Sequence, residues 1–251
     1  MELRLKSVAL FLAVVGLIGS IRPTTAHSVT FDFTGTVVTA DPSSLGGIFP
    51  VPILSYPAST ITGSFTFDAT VPDSNGLGTV GLYDGAIQSL SLSVAKPITA
   101  DAYEFNLDLS GSSGRPVQNS ILVNANGTAA NQSYLLSASI QNLLPAGPIV
   151  DGNNFFAREF FINLANPSSS VFATDALPET PPDSTLFSLY SAATNPHGQF
   201  RLVFSGGSHG DHTIIGNLTS LSVSAVPIPA VVYLFGSGLA TIAAFARRKS
   251  Q

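Results

Sequence analysis

With 251 residues, 17 of them phenylalanine and none cysteine or tryptophan, the chain has the length of one large domain or two small ones. Without cysteine it has no disulfides, no thiolate metal site and no cysteine nucleophile. Cations concentrate at the two ends, leaving four against fourteen acids between residues 27 and 225, a net charge of −10, and so acidic a body excludes nucleic acid, whose phosphates need cations.

Residues 1–26 have the pattern of a secretory signal peptide. Arg4 and Lys6 supply a positive start, residues 8–21 are uncharged and largely apolar, and Thr24-Thr25-Ala26 offers small residues for cleavage between Ala26 and His27. The apolar run has 14 residues, short of the ~20 that a spanning helix needs. The chain is therefore expected to be exported.

Residues 27–225 are expected to form one all-β domain. Val29, Phe31, Phe33 and Gly35 alternate with Thr30, Asp32 and Thr34, and Ile61, Gly63, Phe65 and Phe67 alternate with Thr62, Ser64 and Thr66. Leu90, Leu92 and Val94 alternate with serines, and Tyr103, Phe105, Leu107 and Leu109 with polar residues. Residues 121–123, 134–140, 155–162, 200–204 and 213–223 continue the rule or read as buried strands. Alternation of this kind means one packed face and one wet face. About nine strands with Gly, Asn and Asp turns between them predict an antiparallel β-sandwich, with a jelly-roll order as one form of it. No repeat of fixed period is present, which argues against a solenoid or propeller. Residues 166–182 hold four prolines, so an exposed loop is expected there.

Several patterns carry possible chemistry. Residues 206–210 (GGSHG) fit the G-x-S-x-G nucleophile elbow, with Ser208 in the serine position. That elbow needs a strand, a sharp turn and then a helix, whereas residues 213–223 alternate as a strand, so a glycine-rich hairpin loop accounts for the same residues. His209, Asp211 and His212, with His197 nearby in sequence, are the donors a metal would use, but two close imidazoles fall short of a complete site. Asp68, Asp73 and Asp84 lie in turns where oxygen ligands for calcium would gather, although turn chemistry alone asks for Asp, Asn and Gly there. Glu104, Asp108 and Glu159 are the acids available for glycoside hydrolysis, and nothing in the pattern singles out a pair. Ser93 and Lys96 match S-x-x-K without its companion motifs. Asn126, Asn131 and Asn217 head formal glycosylation sequons. No catalytic residue, metal or cofactor is expected.

The C-terminal segment, residues 226–251, has an order of its own. Val226-Pro227-Ile228-Pro229-Ala230 is followed by an uncharged run to residue 246 and then by Arg247, Arg248 and Lys249. Each proline disfavours helix in the residue before it, so the first five residues should be extended. The run 230–246 predicts a transmembrane helix about 25 Å long, with the basic cluster retained on the cytoplasmic side. Gly236, Ser237 and Gly238 are small residues that let helices approach closely in lipid.

Proline motif, apolar stretch with F-G-S-G and terminal basic cluster together resemble the PEP-CTERM sorting signal in its V-P-x-P-A variant. The resemblance covers residues 226–249, and Ile228 stands where the name-giving motif has Glu. It implies handling by an exosortase-type sorting enzyme at the inner membrane of a Gram-negative bacterium that makes exopolysaccharide, with Pro227 and Pro229 recognised. The implied product is a non-enzymatic protein of the cell surface or extracellular matrix. A carbohydrate-binding module contacting exopolysaccharide through Tyr56, Tyr83, Tyr134 and Tyr190 is the alternative, and a secreted hydrolase built on Ser208 or an acid pair is a third reading.

Overall fold

Among the described residues there are twelve strands, and the longer ones form where apolar and polar, largely hydroxyl-bearing, residues alternate. The computed structural model describes residues 27–41, 58–95, 102–111, 116–126, 132–142, 149–150, 153–166, 171–205 and 211–224. In chain order the strands are β1 (Ser28–Asp41), β2 (Thr60–Asp68), β3 (Val80–Asp84), β4 (Ile87–Ala95), β5 (Ala102–Leu107) and β6 (Asn119–Asn124). There follow β7 (Gln132–Asn142), β8 (Ile149–Val150), β9 (Asn153–Asn154), β10 (Phe156–Asn166), β11 (Phe200–Ser205) and β12 (Asp211–Val223). A 3-10 turn at Ser184–Leu186 is the only helical element among the described residues.

The strands close into a barrel, which corrects the expectation of a β-sandwich. Around the wall run β1, β2, β4, β5, β7, β10, β11 and β12, each antiparallel to the next, and β12 returns to pair with β1. The closing contact is β7 with β10, from Gln132 opposite Asn166 to Ser139 opposite Glu159. A sandwich would leave open edges at these strands, and here they satisfy each other instead. Alternation reports only that one face is buried, so it is blind to whether two sheets face each other or one sheet closes on itself. Two wall positions are interrupted. Gly85, at φ 74°, and Ala86 separate β3 from β4, while β6 follows β5 along the same edge of β7. β3 pairs with β6 and extends the wall at that end.

Phenylalanine fills the interior. Phe33 of β1 stacks on Phe160 of β10 at 5.4 Å between ring centroids, and Phe105 of β5 meets Phe204 of β11 edge-on at 5.9 Å. Neither pair belongs to neighbouring strands, so both reach across the barrel, as expected where eight strands leave an interior only as wide as its side chains. Glycine makes room for the rings. A Cβ on Gly216 would stand 2.4 Å from the Phe200 ring and 2.1 Å from the Thr36 carbonyl oxygen, and one on Gly63 would stand 2.5 Å from Phe33. Register shifts in β1 and β10 bend the wall, the usual service of bulges in a closed sheet.

The outer face is polar and hydroxyl-rich. Thr30 and Thr66 hydroxyls lie 2.8 Å apart across β1 and β2, and Thr34 meets Ser220 of β12 at 2.8 Å. Apolar inside and hydroxyl outside is the reverse of an outer-membrane barrel, which turns its apolar band to lipid. The transmembrane helix expected over 230–246 lies outside the described residues. Among the described residues no helix is long and apolar enough to cross a membrane.

Candidate functional site

The two chain ends of the domain leave from one pole of the barrel. Val223 pairs with Phe31, and the Ser224 amide donates to the Thr30 carbonyl at 2.9 Å, so β1 begins where β12 finishes. His27 is exposed, with Nδ1 3.3 Å from the Glu179 carboxylate. Ala26, the motif Val226–Ala230, residues Gly236, Ser237 and Gly238, and the cluster Arg247, Arg248 and Lys249 lie outside the described residues.

The chemical motifs do not assemble. β11 and β12 form an antiparallel hairpin with Ser205 opposite Asp211, so residues 206–210 join two strands. Ser208 and His209 lie outside the described residues, but strand–turn–strand is the wrong context for a nucleophile elbow. Asp211 and His212, adjacent on β12, face opposite ways. Asp211 pairs with Arg158 at 3.3 Å, while His212 is buried with its ring 4.9 Å from Phe155. His197 is exposed on a different segment. No group of three His, Asp or Glu among the described residues is placed to hold a metal.

The acids serve turns. Asp73 accepts from the Asn75 amide at 3.0 Å and the Leu82 amide at 2.9 Å, and these bonds, Leu82 foremost, hold its carboxyl below the usual range. Asp68 accepts from the hydroxyl and amide of Thr70, with the same effect. Asp84 accepts from Ser74 at 3.0 Å. The candidate calcium loop is thus a hydrogen-bonded turn among the described residues. Asp108, expected on the wet face of a strand, is buried beyond the end of β5 and accepts from Ser110. Glu104 is exposed on β5, and Glu159 of β10 acts on the half-buried Arg201, whose guanidinium lies 4.4 Å from the Phe161 ring.

The described tyrosines do not make a sugar platform. Tyr134 is fully buried, and its hydroxyl, which has no partner, is pushed well above the ordinary range by desolvation. Tyr83 is buried and donates to the Asp175 carbonyl at 2.8 Å. Tyr190 is half-buried, and Tyr56 lies outside the described residues.

What the structure does build is a strap. Residues 171–199 run across the pole that carries the chain ends, and Phe172, Leu177 and Phe187 enter the core there. Residues 171–182 are therefore no exposed loop: side chains in this stretch plug the barrel. Five amide side chains hold the strap in place. Gln132, 1% exposed, accepts from the Val171 and Phe172 amides and donates to the Phe172 carbonyl. Asn166 donates to the Leu186 carbonyl at 2.7 Å, and Asn217 accepts from the Tyr190 amide at 2.7 Å. Gln199 donates to the carbonyls of Ser184 and Phe187, and accepts from the Leu218 amide. Within the strap, Asn195 donates to the Ser188 carbonyl at 2.8 Å. An amide suits this work because it carries both donors and an acceptor.

Between strap and wall lies a cleft of about 520 Å³. Its floor is the outer face of β6, β7 and β10, where Asn124, Ser133 and Ala165 are register neighbours and Asn163 lies beside them. Ser188, Thr194 and Asn195 of the strap form the facing wall, and the clamping side chains of Gln132 and Asn166 border it. Among the described residues no charged side chain lines the cleft. The signal in sequence is an amide at the end of a strand, where alternation asks for an apolar residue: Gln132 and Asn166.

No protein-family model, no curated protein and no solved structure matches this chain.

Proposed function

We propose that the chain is an exported, non-enzymatic protein of the cell surface or extracellular matrix, sorted through its C-terminal segment by an exosortase-type enzyme at the inner membrane. The observation that supports this reading best is the shared pole of His27 and Ser224. A leader removed before His27 and a sorting segment beginning at Val226 would both act at that pole. The barrel wall and the opposite pole would then stay clear of the processing machinery. Asp68, Asp73, Asp108 and Asp183 are engaged in turns and Glu179 and Asp211 in ion pairs, engagements that fit a structural use of these acids.

Intact mass and fractionation of the protein from its own host test the reading. The expected mass lacks residues 1–26 and everything beyond about Pro229, and the protein is found in the surface or matrix fraction. Replacing Arg247, Arg248 and Lys249 by neutral residues is expected to leave unprocessed protein in the inner membrane. A native mass that still contains those three residues, in the inner membrane, would overturn the sorting.

A further inference from the structure

We propose that the cleft between the strap and strands β6, β7 and β10 binds a neutral oligosaccharide. At about 520 Å³ it falls in the range of small-molecule sites, roughly 300–1,000 Å³. Its border is built rather than incidental. Gln132, Asn166 and Asn195 are each more than nine-tenths buried, and each has its amide fixed on strap backbone. Because those clamps are already made, little ordering remains to oppose a ligand. The Ser133 hydroxyl and the Asn163 amide, on adjacent strands of the floor, have no partner among the described residues.

The chemistry of the lining selects the ligand class. Amides and hydroxyls both donate and accept, which matches the sugar hydroxyl, itself a donor and an acceptor. A phosphate, sulfate or uronic acid would find no cation there, inside a body of net charge −10. An ammonium or guanidinium ligand would find no carboxylate in the lining. An apolar ligand would leave the Asn163 amide and Ser133 hydroxyl desolvated and unpaired. Among the described residues no aromatic ring lines the cleft, so binding rests on hydrogen bonds and polar fit, unlike the tyrosine stacking that the sequence suggests.

This inference names a partner for the proposed matrix protein but needs neither cleavage nor the sorting segment. Failure of processing and failure of binding are therefore separate results. The full chain, purified in mild detergent, is applied to an array of neutral hexose, pentose and deoxyhexose glycans, with alginate and a sulfated glycan as charged controls. Retention on at least one neutral glycan and none on the charged ones is expected. Asn163→Ala combined with Ser133→Ala should weaken that retention about ten-fold, from two lost hydrogen bonds. Ala165→Trp, which fills the floor, should abolish it. Both variants replace outward-facing residues, and unchanged melting shows that they fold. No retention on any neutral glycan, equal retention on alginate, or retention untouched by either folded variant would each overturn the proposal.

Discussion

The barrel wall and the strap that closes one pole are held by different physics. Inside the wall, Phe31, Phe33, Phe65, Phe67, Phe160 and Phe204 are essentially unexposed, and burial is non-directional and proportional to area. Across the pole, residues 171–199 contribute a few apolar plugs but take their course from amide side chains hydrogen-bonded to backbone. Burial tolerates many arrangements. An amide clamp tolerates one, because moving the strap leaves buried carbonyls and N–H groups unpaired. The interior thus sets how stable the protein is, and the clamps set the shape of the cleft.

The sharpest way to test that division is to weaken the wall alone. Phe33→Ala should cost about 3–5 kcal/mol, from lost transfer energy and the cavity left beneath Phe160. Urea denaturation measures it, and the loss should appear as one cooperative transition. A cost under about 1 kcal/mol would mean that the interior collapses around the gap and is not the packed ring system described.

Weakening a clamp should behave otherwise. Gln199→Leu removes two donors to the Ser184 and Phe187 carbonyls and the acceptor for Leu218. The expected cost is about 2–4 kcal/mol. Its signature is local: protease cutting within residues 171–199 should rise under conditions where the barrel core stays protected against hydrogen exchange. If strap and core open together, the two regions are one cooperative unit and the comparison fails.

The same division decides what could be seen in the sequence. Alternation over 29–35, 61–67, 200–204 and 213–223 locates strands, because a strand with one buried face must alternate. Closure was not legible: β7 meets β10 through ordinary ladder bonds between residues 132–139 and 159–166, and no residue type marks that pairing. The strap is hidden from the sequence for a related reason. Pro178, Pro181 and Pro182 signal absence of regular structure, which predicts exposure, although Phe172, Leu177 and Phe187 in the same stretch are buried. Of the cleft, only the odd amides at strand ends were visible, and their partners are backbone atoms that no sequence pattern names. The patterns legible at His212 and Asp73 point to metal chemistry, whereas the structure buries His212 against Phe155 and ties Asp73 into a turn.

A smaller effect probes the interior from the opposite side. The Tyr134 hydroxyl is buried with no partner, so Tyr134→Phe removes an unpaid desolvation and keeps the ring. Stability should hold or rise by about 1 kcal/mol, read as a higher melting temperature. A loss of that size would reveal an ordered water completing the site.

The smallest effect lies in the turns, outside both regions. Asp68, Asp73 and Asp183 have carboxyls held below their ordinary value near 3.8, chiefly by bonds from Thr70, Leu82 and Thr185. A carboxyl depressed in the folded state stabilises above its unfolded value, and that stabilisation is lost as pH falls through the folded value. These turns should therefore weaken only below about pH 4. Acidification also relieves self-repulsion in a body of net charge −10, an effect of opposite sign that wild-type denaturation alone would not separate. Comparing Asp73→Ala with wild type at about pH 5 and about pH 2.5 separates them. The variant should be less stable at the higher pH and approach wild type at the lower. A gap that stays constant with pH would show that the Asp73 side chain acts through its shape rather than its charge, and that the Leu82 and Asn75 amides bond the neutral acid equally well.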